Sequence, residues 1–265
     1  MVKEKSIRKK AFRKKYTLNK ELITLAQQEK NHAFLTNPPI LLIYTYLVEY
    51  IKEVAEAWFK QHDSLKILDW GSGKGHITFL LQEAYRNSQT EIVSCDIASS
   101  EFARDDSTFL QNTPIIKAKN IQVVPLEHAS QLPFSDNAFD IVISMGVLEH
   151  VPHDQASLQE INRVLRPNGL FFCFFLPYQW SWTQQLAHLR GNYYHDRLYA
   201  KRQVKGMLRE ADFDVIDMWH RQLLPKNSFD YPAYRKVERI DQWFCEYTPL
   251  QYLATNIEFV AYKSS

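Results

Sequence analysis

Asp69, Gly71, Gly73 and Gly75 stand at alternate positions in the stretch Leu68-Asp69-Trp70-Gly71-Ser72-Gly73-Lys74-Gly75-His76. Ile67 and Leu68 ahead of them read as a short buried strand, and Ile77 to Leu81 behind them as the first turns of a helix. A strand, a glycine turn and a helix place a helix N-terminus and bare backbone amides at the carboxyl edge of a sheet, a ready site for a polar ligand. Glycine suits the place because a side chain would hold the backbone off the ligand and a tight turn asks for positive φ. Three of the chain's seven glycines are spent here. The spacing is G-x-G-x-G, one residue shorter than the dinucleotide fingerprint, and no phosphate-cradling G-x-x-x-x-G-K-[ST] is present. A carboxylate at Asp69 would repel a pyrophosphate and suit a ligand carrying a positive amino group. A nicotinamide oxidoreductase is therefore disfavoured.

The elements that must position these groups follow in order. A second strand, Glu91 to Cys95, ends at Asp96. An acid at the end of a second strand can accept from two vicinal ribose hydroxyls; the alternative is a helix cap for the segment after it. A third strand, Ile121 to Val124, leads into Pro125–Phe134. Phe139 to Ser144 is nearly continuous apolar sequence, suited to a central parallel strand buried on both faces. It exits at Met145-Gly146-Val147-Leu148-Glu149-His150-Val151, and a helix after His150 follows, with Leu158, Ile161, Val164 and Leu165 at helical spacing. Pro167-Asn168-Gly169 reads as a helix stop and turn, and Leu170 to Leu176 as a fifth strand.

Asp69-x-Gly71-x-Gly73-x-Gly75 resembles the first motif of class I S-adenosylmethionine-dependent methyltransferases. Leu132-Pro133-Phe134, Phe139-Asp140-Ile141-Val142, Val147-Leu148-Glu149-His150-Val151 and Arg163-Val164-Leu165-Arg166-Pro167-Asn168-Gly169 then appear in order. Together, over about residues 65–176, they resemble the small-molecule group that includes ubiquinone-pathway methyltransferases. The resemblance implies a Rossmann-like α/β fold, a seven-stranded and mostly parallel sheet with helices on both faces. It implies S-adenosyl-L-methionine at the carboxyl edge, held by Asp69, Gly71, Ser72, Gly73, Gly75, Asp96, Ile97, His128, Ala129, Ser144 and Met145. His128 is a departure, since the family usually has Asp there to meet the adenine amino group; a neutral imidazole nitrogen can accept the same bond. The strand end at Ser144-Met145 should lie nearest the transferred methyl. His150 is then the nearest base, with Glu149 as orienting partner, and His195 beside Asp196 is a second. No metal is assigned, although some ubiquinone-pathway relatives have one near this Glu-His. The alternative makes Glu149 and His150 structural residues of a helix start.

The 265 residues allow one domain with appendages. We divide them into a basic, helical N-terminal extension, 1–60, and a methyltransferase domain, 61–265, with cap insertions at about 177–212 and 225–256. The net charge of +2 is too close to balance to suggest a general polyanion binder. Residues 1–20 are rich in Lys and Arg, and we read them as a solvated, partly frayed helix; the alternative is a tail that touches anionic lipid or nucleic acid. Specific nucleic-acid binding is not expected. Pro38-Pro39, with Asn37 as a cap, open a helix from Ile40 to Lys60 that could cross the ligand edge, with His32 in a lid. Three cysteines show no metal spacing, and Cys95 and Cys173 read as buried thiols of a reducing compartment, hence a cytoplasmic protein. Neither a secretory h-region nor a bilayer-spanning run is visible. Helices at Tyr199–Ala211 and Tyr234–Tyr247 and strands at Asp214–Trp219 and Ile257–Tyr262 are expected, the strands as an antiparallel pair. Tyr178, Trp180, Trp182, Tyr193, Tyr194 and Tyr199 suit an apolar or ring-bearing acceptor. The expected activity is methyl transfer to oxygen or carbon of a small or lipid-like molecule. The rivals are a tRNA or protein methyltransferase, for which the basic N-terminus is the only hint, and an inactive binding protein of the same fold.

Overall fold

The computed structural model describes residues 7–8, 11, 16–28, 37–60, 64–97, 113–191, 195, 197–224 and 231–264. Seven strands form one sheet: β1 Lys66–Trp70, β2 Glu91–Ile97, β3 Val123–Leu126, β4 Phe139–Met145, β5 Leu165–Pro177, β6 Phe213–Arg221 and β7 Asn256–Lys263. Their order is β3-β2-β1-β4-β5-β7-β6. β1 to β5 pair in parallel, and β7 lies antiparallel between β5 and β6. The helices are α1 Lys20–Gln27, α2 Pro38–Phe59, α3 His76–Tyr85, α4 Pro114–Lys119, α5 Asp154–Val164, α6 Trp182–Leu189, α7 Lys201–Glu210 and α8 Tyr231–Tyr247. The mostly parallel Rossmann-like sheet expected from the sequence is the sheet observed.

The continuous apolar strands work as a parallel sheet demands, with alternate side chains going to opposite faces. Ile67, Ile141, Ile143, Phe172 and Phe174 join α2 and α3 on one face. Leu68, Val142, Phe171 and Cys173 join α5 and α7 on the other. Cys95, Cys173 and Cys245 are all buried free thiols.

Several boundaries differ from the sequence reading, for local reasons. The helix after His150 begins only at Asp154; Pro152 disfavours helical backbone at the residue before it. Pro167-Asn168-Gly169 does not leave the sheet. It forms an irregularity at the start of β5, with Asn168 at φ 63°, and the register with β4 jumps from Phe139↔Leu165 to Ile141↔Leu170. The third strand starts two residues late, at Val123. The β6–β7 pair forms as expected, with Asp214 opposite Tyr262. Asn37 holds the cap position, but its carboxamide makes no capping bond; its carbonyl accepts from the Ile40 N–H at 3.0 Å.

One expectation for the basic stretch is overturned at Arg8, which is buried. Its guanidinium donates to Asp217 at 3.1 Å and Glu246 at 3.0 Å and lies 4.6 Å from the centre of the Trp219 ring. Apart from Lys20, the other Lys and Arg residues of 1–20 lie outside the described residues, as do His32, Tyr193, Tyr194 and Asp196. Among the described residues no helix is long and apolar enough to cross a membrane.

Candidate active site

The glycine turn bends as its composition asks. Gly71, Gly73 and Gly75 have φ of 74°, 52° and 80°. The N–H groups of Gly71 and Ser72 both donate to the Cys95 carbonyl, at 2.9 and 3.1 Å, so the turn is tied to the end of β2. Asp96, next along β2, completes the tie: its Oδ2 accepts from the Gly73 N–H at 2.6 Å and its Oδ1 from the Ile97 N–H at 2.7 Å. Burial pushes this carboxyl up from its ordinary range, and the two N–H donors pull it back.

The three glycines are needed for different reasons. A Cβ at Gly71 would fall 2.4 Å from a Val147 methyl, and one at Gly75 would fall 2.9 Å from Ile116 Cγ1. A Cβ at Gly73 meets nothing within 4 Å. Gly71 and Gly75 are thus fixed by packing as well as by φ, and Gly73 is the one that opens on free space. The Ser72 hydroxyl beside it is buried with no hydrogen-bond partner among the described residues.

Asp69 lies below the turn, almost fully buried. Its Oδ2 accepts from the Thr78 hydroxyl at 2.6 Å, and Thr78 shares a 2.7 Å hydrogen bond with Ser94. Burial raises the Asp69 carboxyl to about 7; Thr78 holds it back and the charge of Asp96 adds to the rise. Tyr44 of α2 is close enough to feel it, for burial and the Asp69 charge both push its phenol up. The Tyr44 ring meets His76 edge-on at 6.4 Å and Phe175 at 5.8 Å. Phe175 carries φ of 62°, in the β5 irregularity between Cys173 and Leu176. A bulky side chain in left-handed backbone is strained, and such strain persists where the surroundings enforce it. No sequence signal marks Phe175. Thr78 and Ser94 were legible in principle, as polar residues set in apolar runs.

At the end of β4, Ser144 is fully buried in register between Trp70 and Cys173, and Met145 follows half-buried. Gly146, at φ 67°, turns the chain and donates to the Phe174 carbonyl at 3.0 Å. Glu149 is buried, and burial pushes its carboxyl up to about 8. His150 Nε2 stands 3.8 Å from Glu149 Oε1, too far for a hydrogen bond. The two side chains are therefore neighbours at ion-pair distance and share no hydrogen bond. The structure does bring His150 and His195 together, with ring centres 5.5 Å apart. One ligand atom from each of Glu149, His150 and His195 lies within 4.8 Å of the others, and among the described residues no other three His, Cys or acidic groups gather so closely. Arg197 clasps the arrangement by donating to the carbonyls of Val151 and Pro152. Tyr199 donates to Asp154 at 2.9 Å. His128 is exposed in the turn after β3, its carbonyl accepting from the Gln131 N–H at 3.2 Å, and Ala129 beside it is buried.

Residues 68–173 match the family described as methyltransferase domain. The uncharacterized protein YafE of Escherichia coli is 37% identical over 96 residues, 34% of this chain and 46% of YafE. The demethylmenaquinone methyltransferase of Staphylococcus aureus is 31% identical over 111 residues, 41% of this chain and 42% of that protein. The chain thus spans about half the length of the curated relatives it matches. A SAM-dependent methyltransferase of Methanosarcina mazei has the same fold, with a TM-score of 0.53 at 15% identity over 80% of this chain and 97% of its own. The family match begins inside β1 and ends inside β5, the span that holds the glycine turn, Asp96 and the β4 exit. Over this span the chain is similar to methyltransferase domains, and its fold is the one that such a domain adopts.

Proposed function

We propose that this protein transfers a methyl group from S-adenosylmethionine to an oxygen or carbon of a small, lipid-like biosynthetic molecule in the cytoplasm. The observation that carries the reading is the shared sheet edge. The Gly73–Asp96 tie stands at the ends of β1 and β2, and the Glu149, His150 and His195 group stands beyond the end of the neighbouring β4. The Staphylococcus aureus relative, named for demethylmenaquinone, supports an apolar ring-bearing acceptor.

The residues present fit the cofactor. Gly73 opens on free space, Ser72 offers a buried hydroxyl and the Asp96 carboxylate is fixed beside both. Asp69, Gly71, Ser72, Gly73, Gly75, Asp96 and Ile97 would hold S-adenosylmethionine on the β1–β2 side, with His128, Ala129, Ser144 and Met145 toward β3 and β4. When bound, it supplies a sulfonium methyl open to in-line displacement. What the chain itself does is orient the acceptor and take its proton. His150 and His195 present two imidazoles on one spot, and either can accept the proton from an acceptor hydroxyl or ring carbon. Buried Glu149 keeps its own proton through neutral pH and so adds no negative charge beside them. α2 lends Tyr44 to the Asp69 side, so the extension, 1–60, acts as a cover of the domain, 61–265.

Calorimetry with S-adenosylmethionine, followed by mass spectrometry of extracts incubated with the protein and an isotopically labelled methyl donor, tests the reading. Binding and a labelled lipid-soluble product are expected. Binding without any labelled product would favour the inactive binding protein, and label on tRNA or protein would favour that rival. Burial of Arg8 removes one of the basic charges on which the tRNA reading rested.

A further inference from the structure

Every large hydrophobic side chain that stands exposed among the described residues lies between positions 180 and 253. Most belong to one surface, made by α8 and the short 3-10 helix Pro249–Leu253 that packs against it. α8 is built the wrong way round for a helix in water. Its acids face the protein: Glu238 meets Arg221 at 3.7 Å, Glu246 meets Arg8 at 3.0 Å, and Asp241 Oδ1 accepts the N–H groups of Leu223 and Leu224, both at 2.9 Å. Cys245 is buried and Phe244 packs beside it, but three large apolar residues face out. Ile240, Trp243 and Tyr247 form a stripe at helical spacing, with Trp243 53% exposed. Leu250, Tyr252 and Leu253 extend it along the 3-10 helix. An apolar surface of this kind marks a contact with something.

We propose that this face docks the protein on a lipid bilayer bearing anionic headgroups, an inference that stands apart from the reading of the active site. The residue types suit an interface in which one end of a side chain is apolar and the other wet, as Trp and Tyr prefer. The charge is complementary: Lys236 and Arg239 are the charged residues exposed on the described side chains of α8, and no acid is exposed among them. α8 is too polar overall to span a membrane, so it would lie in the headgroup plane. A second copy of this chain fits less well. A two-fold pairing of this face would confront Lys236 and Arg239 with their own copies, with no exposed acid on the helix to meet them. The face also sits at the useful end of the sheet. α8 and the 3-10 helix connect the end of β6 to the start of β7, and β6 runs the same way as β1 and β4. Docking would therefore turn the Gly73–Asp96 edge toward the bilayer.

Flotation of the full chain with vesicles tests this. One set is phosphatidylcholine alone and the other contains a third phosphatidylglycerol. The wild type should float with the anionic vesicles and release as salt rises. A double variant with Trp243→Glu and Leu253→Glu should bind about tenfold more weakly, with unchanged circular dichroism and thermal midpoint because both residues are exposed. Lys236→Glu with Arg239→Glu should abolish the preference for the anionic set. The proposal is overturned if the wild type stays with neither vesicle, or if the Trp243/Leu253 variant floats like the wild type. It is equally overturned if light scattering shows a dimer that this variant splits, for then a second copy covers the face. Loss of flotation on Lys9→Glu with Lys10→Glu, while the Trp243/Leu253 variant keeps it, would place the anchor in the basic N-terminal stretch instead.

Discussion

Asp96 reaches back from the end of β2 to accept a 2.6 Å hydrogen bond from the Gly73 amide, so one carboxylate both shapes the glycine turn and lines it. Replacing it with Ala should loosen the turn and remove the acceptor pair together. Asp96→Asn keeps one acceptor oxygen but loses the charge. We expect S-adenosylmethionine to bind more weakly by about 2 kcal/mol in the Ala variant and less so in the Asn variant, as for loss of charge-assisted hydrogen bonds. Calorimetry on both, beside their thermal unfolding, separates a binding loss from a folding one. Equal affinity in all three proteins would remove Asp96 from the site.

The glycines should divide by mutation. Gly71→Ala places a methyl 2.4 Å from Val147 Cγ2 in left-handed backbone, and should cost about 3 kcal/mol through overpacking and φ strain. Gly73→Ala meets nothing within 4 Å and should cost only the φ term, about 1–2 kcal/mol, while it narrows the crevice and weakens cofactor binding. Denaturant titration of Gly71→Ala, Val147→Ala and the double variant checks the cause. The double variant should recover part of the loss if Val147 is the obstacle.

Much of this architecture was legible in the order of its motifs, because strand, turn and helix signals are local. Ile67-Leu68, Phe139–Ser144 and the β6–β7 pair fell where their patterns put them, within a residue or two. Functional partners that depend on chain folding were not legible. Nothing in the sequence said that Tyr44, in a helix before the domain, would reach Asp69, or that Phe175 would take φ of 62° beside it. Arg8 sits in a run of basic residues, and its type and spacing predict a solvated face. Its burial follows from two acids on distant elements, Asp217 and Glu246. The same blindness covered α8, whose inward acids only make sense once Arg8 and Arg221 are known to lie beneath them. His150 and His195 stand 45 positions apart in the sequence, and only the fold shows that they meet.

Arg8 should be a keystone of the N-terminal packing. Removing it takes the guanidinium from both Asp217 and Glu246, in a site where all three side chains are at most 10% exposed. Arg8→Ala should destabilise the protein by about 3–5 kcal/mol, the usual result of stripping one partner from a buried ionic group. A triple variant that also changes Asp217→Asn and Glu246→Gln should restore most of it, since no uncompensated charge remains. Chemical denaturation of the three proteins decides the matter, and a single Arg8→Ala that unfolds like the wild type would deny the network any structural weight.

Glu149 should write itself into the pH dependence of stability. Its folded carboxyl titrates near 8, above the ordinary 4.5. Between those values the folded protein keeps a proton that the unfolded chain has lost. Stability from this group is therefore full below about 4.5, falls as pH rises toward 8 and then levels off. Glu149→Gln cannot titrate, so the variant should gain on the wild type as pH rises from 5 to 8. Urea midpoints of both proteins across that window give the test; parallel curves would show that Glu149 ionises freely in the folded state.

Asp69 predicts a pH dependence of the opposite sign, in binding. Its carboxyl is raised to about 7 by burial, with the Thr78 hydroxyl its strongest restraint. A ligand bearing a positive amino group prefers the ionised form, and the folded protein must give up a proton to provide it. Affinity for S-adenosylmethionine should therefore rise as pH is increased from 5.5 to 7, by at most about tenfold per unit below the carboxyl's own midpoint. Binding should also release protons, seen as a calorimetric heat that varies with the ionisation enthalpy of the buffer. Asp69→Asn should bind more weakly at pH 7 and show neither the slope nor the proton release. Thr78→Val removes the hydroxyl that holds the carboxyl down, so its affinity curve should shift to higher pH while keeping its shape. A wild-type affinity that is flat from 5.5 to 7 would mean that Asp69 serves the floor of the turn and never meets the cofactor's charge.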